Sequence, residues 1–210
     1  MKKIVGIFVC MLLITTILPI TAMAGDENDP EINDVTGDAR SYLDIEKAWF
    51  YENENNPDLL YSTIKIVKPS TFPAKQHLVV DWRMNGEYYA SMLAVGYDIG
   101  IDIPWIYYSA IKGRGAFGDP KPIISQIEGY FNEKDGTITC IIPKSTIGNP
   151  KPGDVLTNTF SQCFQRFGFW GRLGFYSPFR YMIFNNILER LQVEDTAPDI
   201  GYGSDYIIQY

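Results

Sequence analysis

The chain has 210 residues, of which 46% are hydrophobic and 14% aromatic, and it carries 25 acidic against 18 basic residues. A formal net charge of −7 disfavours nucleic acid and anionic membranes as main partners, because both attract basic surfaces. The hydrophobic fraction excludes a mostly disordered chain. The many aromatic, Gly and Pro residues favour strands and turns.

Residues 1–24 have the pattern of a secretory signal peptide. Lys2 and Lys3 give a basic start, residues 4–20 form an uncharged apolar run, and Ala22 and Ala24 provide a small-residue cleavage site before Gly25. The alternative is a membrane anchor, but the run is short for a bilayer span. We therefore expect an exported protein, secreted or held at the cell surface, with no membrane span after signal removal.

After the signal peptide the sequence predicts an acidic leader at residues 25–33 and one domain at 34–210. Asn85-Gly86 between two alternating stretches is the signature of a type I′ hairpin. A short helix is predicted near residues 178–192, since Ser177-Pro178 is a typical helix start and apolar residues follow at i, i+4 spacing. Residues 195–203 are predicted to be a turn-rich loop. Strands are predicted near residues 43–51, 59–67, 78–84, 88–95, 105–111, 123–131, 137–142, 155–164 and 205–210.

Many short strands with one late helix predict a mostly β fold, namely an antiparallel β-sandwich of jelly-roll type. Four stretches add a family resemblance: DVTGD at 34–38 leading into YLDIEKAWFYE at 42–52, LLYSTIKIV at 59–67, IIPKSTIG at 141–148 with Gly153-Asp154, and GYGSDYIIQY at 201–210. Together they resemble secreted β-sandwich domains of the DOMON-like group, which includes the family-nine carbohydrate-binding modules. The resemblance implies a jelly-roll-like sandwich, frequent bound calcium, and sugars or, in some branches, haem as ligands.

No catalytic set is recognisable in the sequence. His77 is the one histidine, so every histidine-dependent triad must pass through it, and no G-x-S-x-G motif is present. Paired carboxylates for glycoside hydrolysis stay open as an alternative, but no two acids stand out. A haem site would need His77 with Met84 or Met92, and the apolar strand face around Met84 favours core packing instead. We therefore expect neither an enzyme nor a haem protein.

Asp34, Asp38 and Asp44 are the candidate metal ligands. They offer hard oxygen atoms around a glycine turn, and calcium takes about six to eight oxygens, backbone carbonyls included. The alternative is that these side chains cap turns. Calcium is the one cofactor that the sequence suggests.

Cys140 and Cys163 are the cysteines that remain after signal removal, an even pair in an oxidising compartment. They form the candidate disulfide. The alternative is two separate buried thiols, which is common for free cysteine.

Trp105, Tyr107 and Trp170 are the candidate ligand-binding residues, because they lie in loop-like or Gly-rich sequence where rings can be exposed. Residues 164–184 hold nine aromatics with interleaved arginines, a density that suits either a cover over one open side of the sandwich or an interface. The sequence predicts an exported non-catalytic binding module with carbohydrate as the favoured ligand class. The alternative is a structural or adhesive cell-surface protein that docks a partner chain through residues 164–184.

Overall fold

The computed structural model describes residues 25–41, 43–68, 76–97, 104–113, 122–165 and 193–210. Every strand pair in these residues is antiparallel. The mostly β, antiparallel prediction is therefore confirmed. The elements are β1 (Ile32–Asn33), β2 (Ile45–Glu52), β3 (Leu59–Ile66), β4 (Gln76–Met84), β5 (Glu87–Tyr97), β6 (Pro104–Lys112), β7 (Ile123–Asn132), β8 (Thr137–Pro143), a 3-10 helix (Lys144–Ile147), β9 (Val155–Gln165), β10 (Val193–Ala197) and β11 (Tyr206–Ile207).

The strands form one continuous curled sheet in the order β1-β2-β3-β8-β7-β6-β5-β4-β9-β10, with β11 on β9. The curl is at β7, whose first half pairs with β6 and whose second half pairs with β8. Gly129 lies at this change of partner. A Cβ atom there would overlap the Tyr108 ring and lie 2.7 Å from the Thr139 carbonyl oxygen, so the bend requires glycine.

The core lies between the two facing halves of the curled sheet. Phe50 on β2 meets Trp82 on β4 edge to face, with ring centroids 5.3 Å apart, although the two strands are distant in the sheet order. The Ser91 hydroxyl on β5 donates a hydrogen bond of 2.9 Å to the Ser62 hydroxyl on β3 across the same space. Met84 is buried in this core, as the apolar face of β4 predicts. Burial of these apolar side chains is the main stabilising contribution to the fold.

The two ends of the sheet approach each other. The Ile45 N–H on β2 donates to Asp195 Oδ2 on β10 at 2.6 Å, and the Ser204 N–H donates to the Glu31 carbonyl at 2.7 Å. Glu31 and Ile32 are buried. The folded part of the chain therefore begins within residues 25–33, which the sequence predicted as a leader.

A buried group of polar contacts, which we call the C-terminal latch, fastens residues 206–210 to β2. Lys144 Nζ lies 2.5 Å from Glu52 Oε1, and both residues are less than a tenth exposed. Glu52 Oε2 accepts the Gln209 N–H at 2.6 Å and the Tyr206 hydroxyl at 3.2 Å. Lys144 Nζ also donates to the Tyr210 carbonyl oxygen. The latch thus consists of Glu52, Lys144, Tyr206, Gln209 and Tyr210.

Two sequence predictions differ from the structure, and a third lies outside the described residues. Residues 193–197 form strand β10 along β9, so the predicted loop at 195–203 is wrong in its first part. Cys140 and Cys163 are buried on β8 and β9 and are not joined, so the predicted disulfide is not present; both side chains pack in the hydrophobic core. The predicted helix at 178–192 lies outside the described residues. Within those residues, no helix has the length and apolar character needed to cross a membrane.

Candidate functional site

Four aspartates gather where the N-terminal segment meets β10, and we call them the acidic cluster. One carboxylate oxygen each from Asp34, Asp38 and Asp195 lies within 4.8 Å of the other two. Asp34 follows β1, Asp38 lies in the next turn, and Asp195 is on β10. Asp199, the fourth member, is near enough for its charge to act on Asp34. Carboxylates from two distant parts of the chain thus converge on one point.

Burial and repulsion set the protonation of the acidic cluster. Burial first, and then the charges of Asp199 and Asp38, raise the pKa of Asp34 to about 6. Burial first, and then the charges of Asp34 and Asp38, raise the pKa of Asp195 to about 6. Asp34 Oδ2 is buried and has no hydrogen-bond partner within the described part of the chain. Hard, crowded oxygen ligands of this kind suit a divalent cation such as calcium.

Asp44 lies outside the group formed by Asp34, Asp38 and Asp195. Its Oδ2 accepts the Gly37 N–H at 2.8 Å, and the residue is buried. Asp44 therefore holds the turn between Asp34 and Asp38 in shape. Of the three metal ligands that the sequence predicts, the structure brings two together and adds Asp195 from β10.

An open cleft of about 390 Å³ lies close to the acidic cluster, between the end of the β4–β5 hairpin, β9 and residues 196–202. Phe160 and Tyr202 contribute rings whose centroids are 6.0 Å apart, and Tyr202 is 59% exposed. We call this open cleft the aromatic cleft. Its other lining residues combine an aromatic ring with charged, amide and hydroxyl groups, and they include Arg83, Tyr88, Asn158 and Thr196.

An irregularity in β9 shapes the aromatic cleft. Asp81 pairs with Phe160 whereas Arg83 pairs with Thr157, so β9 carries one extra residue opposite β4. Asn158 lies in this bulge with φ of 52°, a left-handed conformation that asparagine tolerates better than most residues. Bulges of this kind redirect side chains and are common beside binding sites.

The next residue ties the bulge to the opposite wall of the cleft. The Thr159 hydroxyl donates to the Ser204 carbonyl at 2.9 Å, and the Thr159 carbonyl accepts the Gly203 N–H at 2.8 Å. These two bonds fix the segment that carries Tyr202 against β9. Strand β9 therefore forms one wall of the cleft and also fixes the opposite wall, which carries Tyr202.

Of the three ring residues predicted from the sequence, Tyr107 is the one whose side chain the structure describes, and it lies away from the aromatic cleft. Tyr107 is half-buried on β6 opposite Ala94, which lies six residues along β5 from Tyr88, or roughly 20 Å. Trp105 belongs to β6, but its side chain is not among those described, and Trp170 lies outside the described residues. Tyr88, Phe160 and Tyr202 come from separate segments. Only the bulge and the β9 contacts bring them together, and neither is visible as a sequence pattern.

Comparisons with known proteins give no family for the chain. No protein-family model matches it, and neither the curated proteins nor the solved structures give a significant match. The features of the chain that bear on its function are therefore the acidic cluster and the aromatic cleft.

Proposed function

We propose that the protein is an exported, non-catalytic binding module whose aromatic cleft takes a carbohydrate. The observation that carries the proposal is the combination of the exposed Tyr202 ring and the half-buried Phe160 ring with polar side chains in one open cleft. Sugar rings present apolar C–H faces that stack on aromatic rings, while nearby polar groups fix their orientation. The signal-peptide pattern and the resemblance to sugar-binding sandwiches support the same function. Under this proposal the curled sheet is a variant of the jelly-roll-like sandwich that the resemblance implies.

Arg83 gives the cleft its charge. It is exposed, and none of the ion pairs among the described residues involves it. The nearest acid on the same strand face, Asp81, accepts a hydrogen bond from the Tyr88 hydroxyl. A guanidinium binds a carboxylate through two parallel hydrogen bonds. Although the net charge of −7 opposes anionic partners in general, the Arg83 guanidinium in the cleft favours a saccharide with a carboxylate, such as a uronic acid oligomer.

A glycan array with the mature chain tests the proposal, followed by titration of an oligogalacturonate and its carboxyl-reduced, neutral counterpart. We expect Tyr202→Ala to weaken binding of both about tenfold, because it removes the exposed stacking ring. We expect Arg83→Gln to weaken binding of the acidic oligomer alone by about tenfold. Tyr130→Ala is the control for the first variant, since Tyr130 is an exposed tyrosine on β7 outside the cleft lining.

The same array separates the alternatives that the sequence leaves open. Loss of binding in Trp105→Ala or Trp170→Ala, with Tyr202→Ala unchanged, would favour the ring set predicted from the sequence. Absence of any glycan signal would contradict carbohydrate binding. Self-association of the mature chain in that case would favour a structural or adhesive protein that docks through residues 164–184.

We also propose that the acidic cluster holds a structural calcium ion. The unsatisfied Asp34 Oδ2 and the mutual repulsion of Asp34, Asp38 and Asp195 support this, because a divalent cation would satisfy the first and offset the second. Such an ion would join the N-terminal segment to β10. Thermal unfolding in millimolar calcium and in a chelator tests it, since an ion bound only by the folded state raises Tm. Equal Tm values in the two buffers would contradict calcium binding.

A further inference from the structure

Gly25 is buried in direct contact with the side chain of Glu31. A Cβ atom on Gly25 would overlap the Glu31 carboxylate and lie 2.6 Å from the Phe50 carbonyl oxygen on β2. Only a residue without a side chain fits at this position. The backbone of Gly25 is therefore pressed against a carboxylate at the edge of the sheet.

Glu31 is a buried acid that pairs with no cation among the described residues. The residue is 8% exposed, and its Oε2 accepts the Phe50 N–H at 2.8 Å. Within the described part of the chain, none of the ion pairs includes Glu31. Burial raises the pKa of Glu31 to about 7, and the charges of Asp29 and Asp26 add to this rise. A buried carboxylate is stable in its charged form only when a cation or several donors face it.

We propose that Glu31 is the counter-ion of the amino terminus that signal-peptide removal creates at Gly25. This rests on the export proposed above, with cleavage of the Ala24–Gly25 bond. Hydrolysis adds one water molecule across that bond, which leaves a carboxylate on Ala24 and an amino group on Gly25. The amino group takes up a proton at neutral pH. A positive charge thus arises on the residue that already touches Glu31.

The ion pair can form only in the processed chain, because an amide nitrogen in the precursor carries no charge. Export would therefore complete the packing of the N-terminal segment on β2. The absence of a side chain at Gly25 matters here, since it lets the terminal nitrogen turn towards the carboxylate. Glu31 does not line the aromatic cleft, so the proposal is independent of the carbohydrate that binds there.

A double-mutant cycle on the mature chain tests the proposal. Chains with a free and with an acetylated Gly25 are prepared, each with Glu31 and with Glu31→Gln, and their Tm values are compared at neutral pH. With Glu31 present, we expect acetylation to lower Tm by about 4 °C or more, as for loss of a charge-assisted bond in a domain of this size. In Glu31→Gln the difference should vanish. The control Glu27→Gln removes an exposed acid from the same segment and should leave the difference intact.

A second measurement avoids dependence on the folding of Glu31→Gln. An activated ester should acylate the Gly25 amino group of the folded mature chain at least about tenfold more slowly than it acylates the Ala24 amino group of a folded chain that retains Ala24. Equal rates, or an acetylation effect that persists in Glu31→Gln, would overturn the proposal. N-terminal sequencing of the exported protein adds a separate check: a first residue other than Gly25 would overturn it whatever the carbohydrate experiments show.

Discussion

The C-terminal latch and the acidic cluster both place buried carboxylates where the ends of the sheet meet, but the charge of these carboxylates is balanced in different ways. In the latch, Glu52 faces Lys144, and donors from the chain end occupy its second oxygen. In the acidic cluster, Asp34 and Asp195 face further acids, and their pKa values rise as a result of burial and repulsion. One group is thus neutralised by a lysine of the chain, whereas the other is a set of mutually repelling acids that a proton or an added cation would stabilise.

Breaking the C-terminal latch should have the largest effect on the free energy of unfolding. Lys144→Met leaves Glu52 buried without its cation, so we expect a loss of about 3–5 kcal/mol in the free energy of unfolding, measured by urea denaturation. Lys151→Met is the control, because Lys151 is an exposed lysine only seven residues away in sequence. The double variant Lys144→Met/Glu52→Gln should recover part of the loss. A loss below about 1 kcal/mol would mean that the pair acts as an ordinary surface salt bridge.

Removing one acid from the acidic cluster should not lower the stability of the metal-free chain, in contrast to the change in the latch. In a chelator, Asp195→Asn should be at least as stable as the wild type, because it relieves repulsion and its amide oxygen can still accept the Ile45 N–H. In calcium at about 100 times Kd, the wild type should gain about 3 kcal/mol and the variant should gain little. Asp58→Asn, an exposed aspartate elsewhere, should behave as the wild type in both buffers. A calcium gain that survives in Asp195→Asn would exclude the ion from this place.

Proton binding to the acidic cluster should also stabilise the folded chain, but by less than calcium does. The pKa values of Asp34 and Asp195 in the folded chain are about 6, above the ordinary value of 3.8, so the folded state binds more protons than the unfolded state between these values. Stability in a chelator should therefore increase as the pH falls from 7 to 5. Calcium should remove this increase, since protons compete with the ion. A Tm that falls over this pH range in chelator would contradict the raised pKa values.

Local structure was well predicted from the sequence where a few neighbouring residues decide it. Asn85 and Gly86 both have positive φ, 52° and 82°, as the type I′ hairpin between β4 and β5 requires. Asp34 and Asp38 were predicted as candidate metal ligands because one short turn holds both, and the structure brings their carboxylates together. Asp195 could not be found in this way, since it reaches the other two only when β10 pairs with β9 at the end of the curled sheet.

The features that sequence patterns predicted wrongly or missed depend on long-range contacts. Residues 193–197 precede a turn-rich stretch, and their pairing with β9 together with the Asp195 bond to β2 makes them a strand. The bulge at Asn158 appears only in the register of β9 against β4. The aromatic cleft depends on both features, so local sequence patterns alone could not predict its ring residues.

The bend at Gly129 has a consequence for how the protein unfolds. Because β7 belongs to both halves of the curled sheet, the described strands offer no boundary along which one half could open while the other stays intact. Loss of either half would remove the partner of β7 and expose the core shared by Phe50 and Trp82. The chain should therefore unfold as a single cooperative unit, in which damage at one end of the sheet lowers the stability of the other.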